Sequence, residues 1–179
     1  IAQQIVIVDT NSSDRTLEIA QKYGSLIAQP PDWPGFGPQK NRALDLATGE
    51  WVLSLDADER LTPALRSEIL TAIHHSAKID CFAIPRLSWY CGRFIRHSGW
   101  SPDYVDRLFK RGTARFSDDL VHERLIPEGA VAKLENPMLH YSFRNFSQVL
   151  SKIDRYSSAS AEQAYAQGKR SNPCKAILH

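Results

Sequence analysis

The chain of 179 residues carries 22 Lys and Arg against 20 Asp and Glu, and a net charge of +2 leaves no electrostatic footprint for a nucleic-acid partner. Hydrophobic residues at 42% and charged residues at 23% suit one globular domain and exclude a disordered or fibrous chain. No apolar run approaches a membrane span, and Cys81, Cys91 and Cys174 are far apart with no zinc-type spacing, which points to reduced thiols in a cytosolic setting.

In chain order, "QIVIVD" is a short β-branched run expected to form a buried strand. "TNSSD" follows as a turn in which Ser12 or Ser13 is expected to cap a helix over "RTLEIAQKYG", closing at Gly24. "SLIAQ" is a second strand, "PPDWPGFGP" a loop, and "QKNRALDLATG" a helix ending at Gly49. "WVLSLD" is a third strand. Thr62 and Pro63 provide an N-cap and a first helical residue for "PALRSEILTAIHHS". This alternation indicates an α/β fold with a mostly parallel sheet, flanking helices and a small antiparallel addition. "CFAIPRLSWYCGRFI" reads as strand pairs, while "YVDRLFKR" and "AVAKLENPMLHYSF" add shorter pieces. From Phe146 to Gly168 a helix is expected, with Val149, Leu150, Ile153 and Tyr156 on one face covering the sheet. No repeat or linker divides the 179 residues. They divide by pattern into an alternating strand–helix half at about 1–75, a strand-rich half at about 76–145, and a helical segment from about 146.

The run "WVLSLDADER" ends a buried strand in Asp56, Asp58 and Glu59. Like charges repel, so a positive partner is required. Ligands of open α/β sheets sit beyond the carboxyl ends of the strands, where Asp9, Asp56 and Asp58 would line one crevice. Carboxylate oxygens suit Mg²⁺ or Mn²⁺ together with substrate phosphates. The plainer alternative is that the aspartates only cap the next helix. An EF-hand fails because the sixth position from Asp56 is Leu61 rather than Gly, and Arg60 does not suit an aspartyl-nucleophile phosphatase. No Walker A or G-x-G-x-x-G loop is present.

"IVIVDTNSSDRTLEIA" followed by "QKNRALDLATGEWVLSLDADE" resembles the family 2 inverting glycosyltransferases of GT-A fold. "HSGWSPDYVDRLFKR", "FSDDLVHE" and "LHYSF" are similar to the branch containing bacterial lipopolysaccharide-core β-1,4-glucosyltransferases. The resemblance implies transfer of a hexose from a UDP-glucose-like nucleotide sugar to a saccharide or lipid-linked acceptor. It implies that Asp9 contacts the nucleotide, that Lys40 and Asn41 stand at the diphosphate, and that Asp56 and Asp58 reach diphosphate and metal. His140 is a further metal candidate. Glu123, in an "HE" pair, is the expected general base, with Asp119 as runner-up and a surface ion pair to Arg124 or Arg107 as the plainer role for Glu123. Trp89, Tyr90, Trp100 and Tyr104 are candidates for a sugar platform or for core, and Arg107 and Arg111 for acceptor phosphates or plain surface charge. The resemblance also implies a cytoplasmic enzyme with peripheral contact at the inner face of the membrane. The family's first strand, central in its sheet, has no counterpart in the chain, which begins at "IAQQIVIVD" and reads as a piece of a longer protein. A sugar-phosphate nucleotidyltransferase and a silent nucleotide- or glycan-binding fragment are the alternatives.

Overall fold

The computed structural model describes residues 2–76, 78–119, 123–143, 145–166 and 168. β1 (Val6–Val8) leads to α1 (Thr16–Lys22), which returns to β2 (Leu26–Ala28), parallel to β1 with Val6 opposite Leu26. Ser12 does not cap α1. Its N–H and hydroxyl both donate to Asp9, and Asp14 accepts from the Thr16 N–H instead. The helix starts at Thr16, one residue past the expected Arg15, with Arg15 rather than a serine at the N-cap, because Ser12 is spent on fixing Asp9. Gly24 takes a φ of +65° just past the helix, as expected of a glycine there.

α2 (Phe36–Asp45) begins earlier than the sequence suggests, within the Pro/Gly loop, since Pro38 is tolerated in a first turn. β3 (Trp51–Leu53) is short, and the turn after it runs into β4 (Glu59–Leu61), which was not foreseen. α3 (Pro63–His75) starts as expected, with the Thr62 hydroxyl accepting from the Leu65 N–H at 3.1 Å. β5 (Cys81–Tyr90), β6 (Arg93–Phe94), β7 (Asp103–Lys110), β8 (Ala114–Phe116), β9 (Leu125–Pro127), β10 (Val131–Lys133) and β11 (Met138–Phe143) precede α4 (Phe146–Ala166).

The larger sheet orders β3-β7-β5-β11-β4, with β6 and β10 also on β5. β5 is parallel to β10 and β11 and antiparallel to β6 and β7, and β3 is antiparallel to β7. Antiparallel pairing extends this far because β7 inserts between β3 and β5. Pro85 lies inside central β5 yet removes no ladder bond. Leu134 N–H donates to Ala83 O at 2.9 Å, so Pro85 two residues on faces the same side, where β10 has ended and β11 has not begun. β1 and β2 form their own two-stranded sheet, tied to α2 by Gln39 Nε2 donating to Thr10 Oγ1 at 2.7 Å.

Two apolar clusters hold the sheet. Leu65 and Ile69 of α3 pack on Phe82, Ile84, Leu108 and Met138. Leu44 of α2 packs on Cys81, Phe109, Phe116 and Leu125. Full burial of each such large side chain contributes about 1.5–3 kcal/mol. α4 covers less than expected. Val149 is buried, but Leu150 and Ile153 remain exposed, and among the described residues the helix meets the body beside β11. The Tyr156 side chain lies outside the described set.

Candidate active site

Arg107 supplies the positive partner that the three carboxylates require. Leu53 of β3 faces Leu108 of β7, so Arg107 sits level with the residue after the strand, and Ser54 N–H donates to Arg107 O at 2.8 Å. That register puts the guanidinium under the turn. Its Nη2 donates to Asp56 Oδ2 at 2.6 Å and to Glu59 Oε1 at 2.7 Å. Glu59 also accepts the Asp56 N–H at 2.9 Å, and its side chain has 0% exposure. Arg107 is thus neither an acceptor-phosphate contact nor surface charge. It is 6% exposed, and its Nε is buried without a hydrogen-bond partner.

α2 brings the second cation. Lys40 Nζ lies 2.9 Å from Asp56 Oδ1 and 2.8 Å from Glu123 Oε1. Glu123 therefore pairs with Lys40, not with Arg124 or Arg107 as its plainer reading had it. The helix is held in place by Asn41, whose Nδ2 donates to Phe116 O and whose Oδ1 accepts the Phe116 N–H, both at 2.9 Å. Gly37 allows the close approach, since a Cβ there would stand 1.8 Å from Ser117 O. Asn41 is thus occupied with β8 backbone, one residue from the lysine it helps to aim.

Burial alone would push the Asp56 carboxyl up, but Arg107 and Lys40 together hold it below the usual carboxylate range. A lowered folded-state pKa means that Asp56 stabilises the fold fully above its unfolded value of 3.8, and loses that contribution as pH falls through the lower folded value. The stability gap between wild type and Asp56→Asn is therefore expected to stay flat from neutral pH to about 4 and to close below it, read by urea unfolding across pH. A gap that closes well above pH 5 would contradict the ion pairs.

Asp58 faces the other way. Its Oδ2 lies 3.3 Å from His140 Nε2, and the hydrogen bond from His140 lowers its pKa against partial burial. β11 pairs antiparallel with β4, setting His140 opposite Glu59, and Tyr141 N–H donates to Asp58 O at 2.8 Å. Ser88 Oγ lies 3.1 Å from His140 Nδ1, which turns the other ring nitrogen toward Asp58. Such orientation is typical of a metal-ligating histidine. Among the described residues no three His, Cys, Asp or Glu side chains converge on a cation site. Asp58 and His140 offer one carboxylate oxygen and one ring nitrogen that fit a divalent ion completed by phosphates. Asp56 is engaged by its two cations.

Asp9 is buried, and both its oxygens accept from Ser12, so it shapes the turn beyond β1. Asp119 is exposed and accepts from Ser117 Oγ at 2.8 Å. Residues 120–122, including His122, lie outside the described set. Trp89 packs on Phe94 and Tyr141, whereas Tyr90 supports Trp100. Arg111 Nε donates to Gly49 O. Sequence reading named Arg107 and Glu59 but not their pairing, and did not single out Ser88. Glu59 was visible in the acidic run, but the register that pairs it with Arg107 was not.

Residues 2–134 match the family model described as glycosyl transferase family 2. The chain belongs to that family of glycosyltransferases. It is 31% identical over 188 residues to the lipopolysaccharide core biosynthesis glycosyltransferase LpsC of Rhizobium meliloti, covering 98% of this chain and 67% of that protein. An uncharacterized glycosyltransferase of Rickettsia typhi is 28% identical over 95% of this chain and 62% of its own length. The S. aureus TarS 1–349 structure in complex with UDP-GlcNAc superposes with a TM-score of 0.55 at 19% identity, over 79% of this chain and 50% of that one. Mannosyl-3-phosphoglycerate synthase from Rubrobacter xylanophilus superposes at 0.54 and 16% identity, over 96% and 66%. These structures share the GT-A fold. The chain spans about half to two thirds of the length of these relatives.

Proposed function

We propose that the protein takes part in inverting transfer of a hexose from a UDP-glucose-like nucleotide sugar to a saccharide or lipid-linked acceptor in assembly of a bacterial surface glycan. The observation that carries this reading is the division of the acidic turn: Asp56 is held by Lys40 and Arg107, while Asp58 stands half-exposed beside an oriented His140. The similarity to LpsC supports the glycan class, and the TarS complex named with UDP-GlcNAc supports a nucleotide-sugar donor. Residues 1–75 serve the donor and 76–145 the acceptor and the chemistry.

Asp9 and Asp56 bind the nucleotide end, and Lys40 and Asn41 stand at the diphosphate, Asn41 by holding α2. Asp58 and His140 would hold Mg²⁺ or Mn²⁺, with Asp56 a further candidate ligand, and that ion would supply Lewis-acid stabilisation of the departing diphosphate. The acceptor oxygen forms its bond to the anomeric carbon as the bond to the diphosphate breaks. The electron pair leaves with the diphosphate, and Glu123 takes the hydroxyl proton. Asp119 is the alternative base. Its exposed place on Ser117 supports it less than the Lys40-held position supports Glu123.

Glu123→Gln is expected to lower transfer by on the order of 10²–10⁴-fold while UDP affinity in the presence of Mn²⁺ stays within a few fold. Product analysis with a panel of nucleotide sugars and a parallel calorimetric titration read both. Transfer at the wild-type rate would remove Glu123 from this role.

No described helix is long and apolar enough to cross a membrane. The exposed Phe146, Leu150 and Ile153 on α4 support peripheral contact at the inner membrane face, and Cys81 and Cys91, both free, suit a cytoplasmic site.

A further inference from the structure

His140 meets Asp58 through Nε2 and Ser88 through Nδ1, and together with Ser88 it lines a cavity of about 320 Å³. That volume is at the lower end of small-molecule sites, which run from about 300 to 1,000 Å³. Among the described residues the wall includes none of Lys40, Asp56, Asp58 and Glu123, so the cavity adjoins the acidic turn without overlapping it.

The cations of the wall are committed. Arg86 of β5 donates through Nε and Nη2 to Asp103 Oδ2 at 2.9 and 2.7 Å, and its Nη1 lies 3.9 Å from Glu59 Oε1. Lys152 of α4 holds its ammonium 5.0 Å from the Phe143 ring centroid. What the wall leaves over is acceptors. Both Arg86 bonds fall on Oδ2, so Asp103 Oδ1 has no partner among the described residues, and the side chain is 38% exposed. The Ser142 hydroxyl donates its one proton to Trp89 O at 2.9 Å and can only accept from a ligand. An anionic group has no proton to give, and it would meet the Asp103 charge. A sugar hydroxyl has one, and its bond to a carboxylate is charge-assisted.

Trp100 gives the cavity an aromatic side. Its indole is edge-on to Tyr90 at 5.4 Å and remains 38% exposed, a supported ring with surface to spare. Gly99 beside it has φ +76°, and a Cβ there would meet nothing within 4 Å, so the rim is open. An aromatic face beside spare acceptors matches a pyranose, which has C–H groups on one face and hydroxyl donors at its edge.

We propose that this cavity seats a sugar ring of the acceptor and that this ring is uncharged, stacked on Trp100 with hydroxyls donating to Asp103 Oδ1 and Ser142 Oγ. The proposal rests on the glycosyltransferase reading above. Trp100 selects the ring, and Asp103 rejects an anion.

The test is saturation-transfer NMR titration of the full chain with glucose, galactose, glucuronate and galacturonate, for wild type, Trp100→Ala and Asp103→Asn. UDP with Mn²⁺ is titrated by calorimetry in the same three proteins. At least one neutral sugar is expected to bind wild type about tenfold more tightly than its uronate, the size that one hydrogen bond to a charged group supports. Trp100→Ala is expected to weaken that sugar about fivefold. Asp103→Asn removes the charge and releases Arg86, so the uronate is expected to bind this variant at least as tightly as the neutral sugar does. UDP affinity is expected to stay within about twofold in both variants, since neither residue touches the acidic turn. The sugar is also expected to stay bound when UDP-glucose with Mn²⁺ is added to saturation.

No saturable binding of either neutral sugar overturns the proposal, as do uronates that bind wild type as tightly as the neutral sugars. A preference untouched by Asp103→Asn, or a Trp100→Ala protein that binds the sugar as wild type does, also overturns it. Displacement of the sugar by UDP-glucose but not by UDP would assign the cavity to the donor's hexose and overturn the acceptor assignment. Failure of wild type to bind UDP at all would strike the functional reading, and the sugar titrations would still report on the cavity separately.

Discussion

Asp58→Ala is expected to lower kcat/KM for sugar transfer by on the order of 100-fold or more, the effect of withdrawing several kcal/mol of charge stabilisation from the departing diphosphate. It is also expected to abolish the mutual strengthening of UDP and Mn²⁺ binding. The reason is positional. Asp58 is the carboxylate of the turn with no Lys or Arg partner among the described residues, and Ser88 has turned His140 toward it. Titrating UDP and Mn²⁺ separately and together by calorimetry reads the coupling, and steady-state kinetics reads the transfer. Unchanged coupling in Asp58→Ala would remove the residue from metal binding. Ser88→Ala should act in the same direction by less, about 10–100-fold in metal affinity, since it removes only the group that orients the imidazole.

Arg107→Met is expected to destabilise the fold by about 3–5 kcal/mol, because it removes the only close cation from buried Glu59, leaving Arg86 Nη1 at 3.9 Å, and leaves Asp56 with Lys40 alone among the described residues. Glu59 has no exposed side-chain surface to exchange its lost partner for water. The double variant Arg107→Met with Glu59→Leu should recover much of that loss, since apolar groups of similar size tolerate the same burial. Transfer is expected to stay low in the double variant, because Asp56 would keep Lys40 but lose the anchor at its other oxygen. Urea unfolding reads the first effect and kinetics the second. An Arg107→Met protein as stable as wild type would contradict the buried triad.

Much of this architecture is legible in the sequence because local signals agree with it. The Thr62–Pro63 start of α3 is fixed within three residues, by a hydroxyl that reaches Leu65 N–H. The β1–α1–β2 unit follows from an apolar run, a turn and a helical spacing. The acidic turn announces itself as a run of charge at the end of an apolar strand. What stayed hidden depends on register between distant strands. Nothing local to "YVDRLFKR" says that Arg107 rather than Arg111 will lie beneath Asp56. That follows only once Leu53 faces Leu108. The role of Lys40 as a bridge to Glu123 likewise needs the Asn41 clamp, which spans 75 residues of chain. The expectation for α4 failed for a related reason. A periodic apolar face shows that a helix can pack, but not how much of that face finds a partner, and Leu150 and Ile153 stand open.

The central claim is that the acidic turn divides its work, with Asp58 and His140 receiving a divalent ion while Asp56 remains tied to Lys40 and Arg107 until a nucleotide arrives. Crystals soaked with Mn²⁺ and UDP, with anomalous diffraction recorded at the manganese edge, test it most directly. A single peak within coordination distance of Asp58 Oδ2 and His140 Nε2, bridged to the diphosphate, is the expected result. A manganese peak elsewhere, or a diphosphate bound with the Asp58–His140 contact intact and no metal between them, would contradict it.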